Sequence, residues 1–320
     1  MTSIGIDLGG TNIAAAIVDE EGKVLRQGST PTLREREAGA IVGDMAMLCL
    51  DLMEKQGLQA GDIHSIGIGS PGIVDNDRGM VVYANNLPFR ETDLRSAIQS
   101  YINVPVYMGN DANVAAYGEY SSGAGKIYDD LVAITLGTGV GGGVIVHGEI
   151  ITGSFNAGAE LGHIVMKKGG NLCTCGRKGC WETYSSATAI IRDAREAAKA
   201  HPESLLNRLV GGDLEKMNAK VPFDAAQAGD PAAQAVVDSY IDDLATGLMN
   251  IVNIFQPQVI VLGGGVSAQK DNLLVPLREK MVGETYGGEE MLKTVLKVAE
   301  LGNDAGLIGA AMLYRLYDKA

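Results

Sequence analysis

The sequence has few cysteines, few aromatic residues and no signal-like segment at its start. Only four of its 320 residues are cysteine and one is tryptophan, which excludes a small domain held together by disulfides. Met1 leads almost directly into an apolar strand pattern, without the basic and apolar regions of a secretory leader. We therefore predict a cytoplasmic protein.

Long hydrophobic runs are also missing. The uncharged stretches 131–148 and 244–269 are interrupted by glycines in the first case and by asparagine, glutamine and proline in the second. A membrane-spanning helix needs about 20 predominantly apolar residues. We predict that both stretches are buried elements of a globular protein and that the protein has no membrane partner.

Positive charge is in deficit. The chain has 39 acidic residues and 26 lysines and arginines, which gives a net charge of -13, and it contains no basic run. This distribution disfavours a polyanionic partner, so we predict that the protein does not bind nucleic acid. A small anion can still bind, because backbone N–H groups at a turn or a helix start supply local positive potential.

Glycine is abundant, with 43 residues. The composition as a whole is 46% hydrophobic and 20% charged. These proportions are typical of a globular α/β protein, and the length favours two domains. The opening strands "SIGIDLG" and "IAAAIVD" are joined by a Gly/Thr turn, and "LVAITLGTGVGGGVIVHGEI" at 131–150 repeats that plan. The repetition predicts a duplicated fold of two lobes with a cleft between them, and a helix is predicted from Glu35 to Gln56.

Both copies carry glycine and threonine at the turn after the first strand. Such turns let backbone N–H groups approach an anion closely, although two plain hairpins would also explain them. Their occurrence at corresponding places favours phosphate binding by Asp7, Gly9, Gly10, Thr11, Gly137, Thr138 and Gly139. Neither turn matches the Rossmann or P-loop motif. Gly264 and Gly265, after the strand "VIVLG", fit either close approach of an adenosine or a simple turn.

Three of the four cysteines lie in one short segment with a histidine. His163, Cys173, Cys175 and Cys180 form a Cys3His set, which is a typical structural zinc site. A disulfide is the alternative, but three thiols leave one over and a cytoplasmic location disfavours oxidation. We predict one zinc ion that shapes this loop, with the second imidazole nitrogen free for another partner. Cys49 is predicted to be ordinary core.

Asn110 and Asp111 follow a strand and precede a helix. One interpretation is an N-cap, which these residue types favour. In a chain with two phosphate-binding turns, Asp111 is instead well placed to accept a hydroxyl proton during phosphoryl transfer. Asn86, in "YANNLPF", fits either a turn residue or a ligand of a sugar hydroxyl.

The motifs "DLGGTN", "GNDAN", "LGTGVGGG", "ELGH" and "CTCGRKGCWE" together resemble the ROK family (repressor, open reading frame, kinase), specifically its bacterial glucokinase-like members. The resemblance runs over nearly the whole chain. It implies an actin-like, ribonuclease-H-like duplicated ATPase fold of two domains with an interdomain cleft. It also implies ATP-dependent phosphorylation of a hexose, with Mg²⁺ accompanying ATP, and a homodimer or homotetramer.

The resemblance further assigns roles by position. Asp111 is implied as the general base that takes the proton of the sugar 6-hydroxyl, and His163 as both a zinc ligand and a sugar ligand. The implied sugar contacts are Gly72, Asn86, Asn110, Asp111, Glu160, His163 and Glu182, and Gly264 and Gly265 match the adenosine side. Because this chain has "NNLPFR" where many members have "NLPGW", Asn85 and Asn86 can exchange roles.

Glucose is the favoured hexose, with N-acetylmannosamine, N-acetylglucosamine, fructose and allose as alternatives. Two other classes of protein are alternatives to a hexose kinase: a sugar-responsive transcription regulator and an actin-like filament protein. We expect a small domain from 1–118, completed by a C-terminal helix at 304–320. A large domain at 119–303 is expected to carry the zinc loop 163–180 and the adenosine-binding glycines.

Overall fold

The computed structural model describes residues 1–282 and 284–318. The strands are β1 (Thr2–Leu8), β2 (Asn12–Asp19), β3 (Val24–Pro31), β4 (Ile63–Ser70), β5 (Ile73–Asp75), β6 (Met80–Tyr83), β7 (Arg90–Asp93), β8 (Val106–Asn110), β9 (Leu131–Leu136), β10 (Val140–Val146), β11 (Glu149–Ile150), β12 (Val259–Gly263) and β13 (Val295–Val298). The α-helices are α1 (Ala38–Gln56), α2 (Leu94–Gln99), α3 (Asp111–Ser122), α4 (Glu182–Ser185), α5 (Ala187–Ala200), α6 (Leu205–Leu209), α7 (Lys220–Gln227), α8 (Pro231–Phe255), α9 (Asp271–Val282), α10 (Ala305–Met312) and α11 (Tyr314–Tyr317). The last two residues of the predicted C-terminal helix, 319 and 320, lie outside the described residues.

Two five-stranded sheets share one strand order. The first is β3-β2-β1-β4-β8, in which β1 pairs antiparallel with β2 and parallel with β4. The second is β11-β10-β9-β12-β13, with β10 antiparallel to β11 and β12 parallel to β13. In each sheet a three-stranded meander is extended by two strands that come later in the chain. The shared order confirms the predicted internal duplication.

The chain forms two compact units. The first comprises residues 1–131, 143–159 and 300–320, and the second comprises 132–142 and 160–299. We refer to them as unit 1 and unit 2. The assignment of roles to domains with limits at 118 and 304 stays a prediction.

The sheet of unit 1 packs one face against α1. Ile41, Met45 and Cys49, spaced four residues apart, are fully buried in the same apolar cluster as Ile4 and Ile6 of β1. This spacing places one side chain per turn on the same face of a helix. Cys49 is therefore core, as predicted, and burial raises the pKa of its thiol to about 12.

Helix α1 begins at Ala38, three residues later than the sequence predicts. The reason is Arg36, whose guanidinium donates to the backbone oxygen of Thr32 at 3.0 Å and to the carboxylate of Asp44. These bonds hold the preceding residues in a turn, so the helix starts only after Glu37, which has extended backbone.

The opposite face of the same sheet packs against α10, and glycines make this possible. A methyl group added at Gly5 of β1 would lie 1.8 Å from the backbone oxygen of Leu307. One added at Gly67 of β4 would lie 1.7 Å from that of Ala310. Because backbone atoms cannot rotate away as side chains can, the helix sits directly on the strands only where side chains are missing.

Gly67→Ala is accordingly expected to lower the free energy of unfolding by at least about 2 kcal/mol, because overpacking against backbone forces the helix outward. Gly39→Ala is the matched control, since a methyl group there meets nothing within 4 Å. It replaces glycine inside α1 and is expected to be neutral or stabilising by up to about 1 kcal/mol. Urea unfolding followed by circular dichroism measures both. Equal stabilities of the two variants would contradict this packing argument.

Unit 2 contains most of the helices. Asp230 precedes α8 as its N-cap: its carboxylate accepts the N–H of Ala233 at 2.8 Å, and it also accepts the N–H of Leu205 at the start of α6 at 2.7 Å. One carboxylate thus caps two helices. Although α8 has 25 residues, no described helix, this one included, is both long enough and apolar enough to cross a membrane.

Candidate functional site

In unit 1, Thr32 forms hydrogen bonds that fix the turn between β1 and β2. The hydroxyl of Thr32 donates to the backbone oxygen of Gly9 at 2.7 Å, and its N–H donates to that of Thr11 at 2.8 Å. Gly10 lies beneath Asn86, since a methyl group at Gly10 would lie 3.1 Å from Nδ2 of Asn86. The turn predicted to bind phosphate is therefore fixed at both ends, and Asn86 lies beside it.

Asn85 and Asn86 both line a shallow groove of about 440 Å³. The other lining residues are Arg34, Glu35, Leu87 and Pro88. Both asparagines are exposed. Their exposure leaves either carboxamide available to a ligand, so the exchange of roles between them stays open.

Two carboxylates lie at the same edge of the sheet of unit 1. Asp7 is near the end of β1, and Asp111 follows directly after β8. Because β1, β4 and β8 are parallel neighbours, their carboxyl ends meet at one edge. Burial, and then the negative charge of Asp111, raise the pKa of Asp7 above its usual 3.8.

Burial also raises the pKa of Asp111 above 3.8, although Oδ1 accepts the N–H of Ala112 at 2.8 Å, which acts in the opposite direction. Neighbouring titratable groups with perturbed pKa values are typical of catalytic sites. The strand-end position and the shifted pKa together make Asp111 a candidate proton acceptor.

Asn110 combines two structural tasks. Its Oδ1 accepts the N–H groups of Ala112 at 3.0 Å and Asn113 at 3.3 Å, which is the N-cap that one interpretation of the sequence predicts. Its Nδ2 donates to the backbone oxygen of Gly72 at 3.1 Å. Gly72 has φ of 93°, and a methyl group there would lie 2.0 Å from the backbone oxygen of Tyr83. The strand end and the "SPG" turn are thus tied together, and only glycine fits at position 72.

In unit 2, the turn between β9 and β10 corresponds to the first glycine turn and is held by the start of α5. Ala187 donates its N–H to the backbone oxygen of Gly137 at 2.8 Å. The hydroxyl of Thr188 donates to that of Thr138 at 2.7 Å. Within the turn, the N–H of Gly137 donates to the oxygen of Gly139 at 3.0 Å.

Glu182 contacts the same turn from its other side. Its Oε2 accepts the N–H of Val140 at 3.2 Å, and a methyl group added at Gly139 would lie 2.1 Å from that oxygen. Its Oε1 accepts from the thiol of Cys173 at 3.3 Å and from the hydroxyl of Thr174 at 3.5 Å. Glu182 therefore lies between the glycine turn and the cysteine loop.

The structure brings the four predicted metal ligands together. One ligand atom from each of His163, Cys173, Cys175 and Cys180 lies within 4.8 Å of the others. Nδ1 of His163 is 3.6 Å from Sγ of Cys173, and Sγ of Cys175 is 3.7 Å from Sγ of Cys180. All four cysteines of the chain are free thiols, so the alternative of a disulfide is not present here.

Glu160 and His163 stand at the two ends of a short turn. Glu160 is exposed, and its backbone oxygen accepts the N–H of His163 at 3.0 Å. His163 is half-buried and points Nδ1 at the cysteine cluster. Nε2 is the nitrogen left for a second partner, as expected for a histidine that binds a metal through Nδ1.

Gly264 and Gly265 follow β12. Gly264 has φ of 82°, and a methyl group there would lie 2.6 Å from the backbone oxygen of Leu136. At Gly265 a methyl group meets nothing within 4 Å. Packing against β9 is enough to explain why residue 264 is glycine. The space around Gly265 stays open to a ligand.

Sequence reasoning missed the residues that hold the two turns. Thr32 is fully buried although it lies in a polar segment, and Thr188 is exposed at the start of α5. Neither belongs to a motif, and their partners lie 23 and 50 residues away in the chain. No local pattern indicates such contacts.

Comparison with known proteins gives one family over almost the whole chain. The model of the ROK family matches residues 3–316. The glucokinase of Thermotoga maritima is 39% identical over 314 residues, which cover 98% of this chain and 96% of that protein. The glucokinase of Streptomyces coelicolor is 40% identical over 320 residues, which cover 98% and 97% of the two chains.

Among solved structures, a ROK family glucokinase from Streptomyces griseus in complex with glucose and AMPPNP matches with a TM-score of 0.80. It is 38% identical, and the match covers 99% of this chain and 100% of that one. The agreement confirms the predicted fold class.

Proposed function

Because this chain belongs to the ROK family, we propose that it is an ATP-dependent hexose kinase that converts glucose and ATP into glucose 6-phosphate and ADP. The observation that carries the proposal is the 39% and 40% identity to two glucokinases over 98% of this chain. The family model covers residues 3–316, and every residue to which a role is assigned below lies within that range.

Asp111 acts as the general base. It accepts the proton of the sugar 6-hydroxyl while that oxygen attacks the γ-phosphorus of ATP in line with the leaving ADP. Its place at the carboxyl end of β8 and its burial support this role. Positioning and charge stabilisation supply most of the catalysis in reactions of this class.

The other sugar ligands are side-chain and backbone groups. Glu160, His163 and Glu182 bind hydroxyls through two carboxylates and one imidazole. Asn86, Asn110 and the backbone of Gly72 complete the set. The exposed carboxylate of Glu160 supports its role, since an oxygen that faces solvent can exchange water for a sugar hydroxyl.

ATP binds through backbone N–H groups of the two glycine turns. The assigned residues are Asp7, Gly9, Gly10, Thr11, Gly137, Thr138 and Gly139 for the phosphates, and Gly264 and Gly265 for the adenosine. When it accompanies ATP, Mg²⁺ neutralises phosphate charge. The hydrogen bonds from Thr32 and Thr188 support rigid turns that need little rearrangement to bind an anion.

The cysteine cluster holds a structural zinc ion. Tetrahedral zinc with Zn–S of about 2.3 Å and Zn–N of about 2.0 to 2.1 Å sets two sulfurs about 3.8 Å apart, and sulfur and nitrogen about 3.6 Å apart. The Cys175–Cys180 separation of 3.7 Å and the His163–Cys173 separation of 3.6 Å fit these edges. A zinc ion held by His163, Cys173, Cys175 and Cys180 would supply rigidity to this loop, and His163 would offer Nε2 to the sugar.

The raised pKa of Asp111 predicts the acid side of the pH–rate profile. The base works only when ionised, so kcat/KM is expected to fall as pH drops through a midpoint above the usual aspartate value of 3.8. Direct chromatographic measurement of ADP between about pH 3 and 8 tests this without coupling enzymes. A midpoint at or below the usual value would contradict the assignment.

The same shift has a consequence for stability. A carboxyl with a raised folded-state pKa stabilises the fold below its unfolded pKa, and that contribution is lost as pH rises through the raised value. At pH 7 the ionised Asp111 therefore opposes folding. Asp111→Asn is expected to raise Tm at pH 7, and the difference from wild type should disappear below about pH 3.8.

The substrate is tested by ADP release from purified protein with a panel of hexoses. We expect kcat/KM for glucose to exceed that for fructose, allose, N-acetylmannosamine and N-acetylglucosamine by about 10-fold or more, because each differs by a group that the polar ligands must match. A higher value for any other sugar would reassign the substrate. ADP release that is independent of sugar would reject the kinase.

We further propose a cytoplasmic homodimer or homotetramer, by analogy with the family. In this proposal residues 1–118 and 304–320 carry the general base, and residues 119–303 carry the zinc loop and the adenosine-binding glycines. Light scattering of the purified protein tests the oligomeric state.

A further inference from the structure

Glu182 has one oxygen on each of two functional elements of unit 2. Oε2 accepts the N–H of Val140 at the end of the glycine turn, at 3.2 Å. Oε1 accepts from the hydroxyl of Thr174 at 3.5 Å in the cysteine loop, and also from the thiol of Cys173 at 3.3 Å while that sulfur is protonated, because a metal-bound cysteine is a thiolate and donates nothing. The carboxylate is therefore a direct bridge between a metal-binding loop and a phosphate-binding turn.

The chain itself continues this bridge. Glu182 comes two residues after Cys180 and begins α4, and α5 follows at once. The first residues of α5 donate to the turn, Ala187 to Gly137 at 2.8 Å and Thr188 to Thr138 at 2.7 Å. The segment that leaves the cysteine loop thus contacts Gly137, Thr138 and Val140 of the turn.

The residue that connects the cysteine loop to Glu182 is tightly packed. Trp181, the residue between Cys180 and Glu182, is 1% exposed, and its Nε1 donates to the backbone oxygen of Asp243 in α8 at 3.2 Å. A methyl group added at Gly247 of α8 would lie 2.0 Å from the indole. Because the indole cannot shift into free space, a displacement of the loop moves Glu182 instead of being absorbed beside it.

From these contacts we propose that Glu182 is a positioning residue that couples the metal to the nucleotide, so that each binds more tightly in the presence of the other. The inference rests on the proposed function, and it adds a role for Glu182 that does not involve the sugar. Order in the cysteine loop holds Glu182 against Val140, and an occupied turn holds Glu182 against the loop. Thermodynamic linkage makes the two effects equal.

The experiment measures how fast the chelator 4-(2-pyridylazo)resorcinol extracts zinc from the full chain, without sugar, in the presence and absence of Mg²⁺ and AMPPNP. We expect the nucleotide to slow extraction at least about 5-fold in wild type, the lower end of ordinary coupling between sites. Calorimetric titration of AMPPNP on the same sample establishes that the nucleotide binds.

Two variants interrupt the bridge in different ways. Glu182→Gln keeps the shape and removes the charge, and Gly139→Ala places a methyl group 2.1 Å from Oε2 and displaces the carboxylate. Both are expected to gain less than about 2-fold protection from the nucleotide, and Gly139→Ala is expected to release zinc faster than wild type even without it. Gly39→Ala, in α1 of unit 1 and outside both elements, is the matched comparison, because its methyl group meets nothing within 4 Å. It should release zinc at the wild-type rate when no nucleotide is present.

Equal protection in wild type and Glu182→Gln would overturn the inference, as would unprotected zinc in a wild-type protein that binds AMPPNP. A wild-type protein purified without zinc would also overturn it, while leaving the kinase to be judged by ADP release. Failure of AMPPNP to bind would instead reject the proposed function, and the inference with it.

Discussion

Replacing Asp111 by asparagine is expected to lower kcat about 10²- to 10⁴-fold and to leave KM for glucose within a few-fold of wild type. The asparagine side chain retains the size of the carboxylate but cannot accept the proton of the attacking hydroxyl, so it removes an interaction that matters in the transition state. Steady-state ADP release at saturating ATP measures both constants.

Asp51→Asn is the matched control for this variant. Asp51 lies on α1, is exposed and forms a surface ion pair with Lys55 at 2.8 Å. Loss of such a pair typically changes stability by less than about 1 kcal/mol, and kcat should match wild type. If Asp111→Asn retained kcat within a few-fold of wild type, the base would have to be sought elsewhere.

The second large effect is expected at Cys175. Cys175→Ser should reduce the zinc content from about one ion per chain to a small fraction and lower kcat/KM at least about 10²-fold. Replacing a residue that only supports a metal ligand already costs about 10- to 100-fold, and losing a ligand should cost at least as much. Of the three clustered cysteines Cys175 is the exposed one, so the exchange of sulfur for oxygen there disturbs no core packing.

Cys49→Ala provides the comparison, because Cys49 is buried in the core of unit 1 and outside the cluster. It is expected to keep its zinc and its kcat/KM while losing some stability to the cavity. Zinc measured by mass spectrometry and far-UV circular dichroism accompany the kinetics. A Cys175→Ser protein with undiminished zinc or activity would remove the metal from the account.

The sequence contains the information for the repeated strand order and for the metal cluster, since both depend on local patterns. Gly9, Gly10, Gly137 and Gly139 lie in the corresponding turns of two copies of one strand plan. Cys173, Cys175 and Cys180 lie so near one another in the chain that a single loop brings them together. Signals of this kind need no knowledge of distant contacts.

The remaining features depend on contacts between distant residues. Gly5 and Gly67 look like ordinary strand glycines until α10, which lies about 300 and about 240 residues further along the chain respectively, is placed against them. Glu182 and Val140 are 42 residues apart. The start of α1 was predicted too early because the bonds of Arg36 to Thr32 and Asp44 override a favourable helical pattern.

The central claim, a kinase that phosphorylates glucose, is tested most directly by following the label of [γ-³²P]ATP. The purified protein with glucose should move the label to glucose 6-phosphate in step with ADP formation, and the Asp111→Asn protein should do so about 10²- to 10⁴-fold more slowly. Label that appears as inorganic phosphate at the same rate with and without glucose would contradict the account.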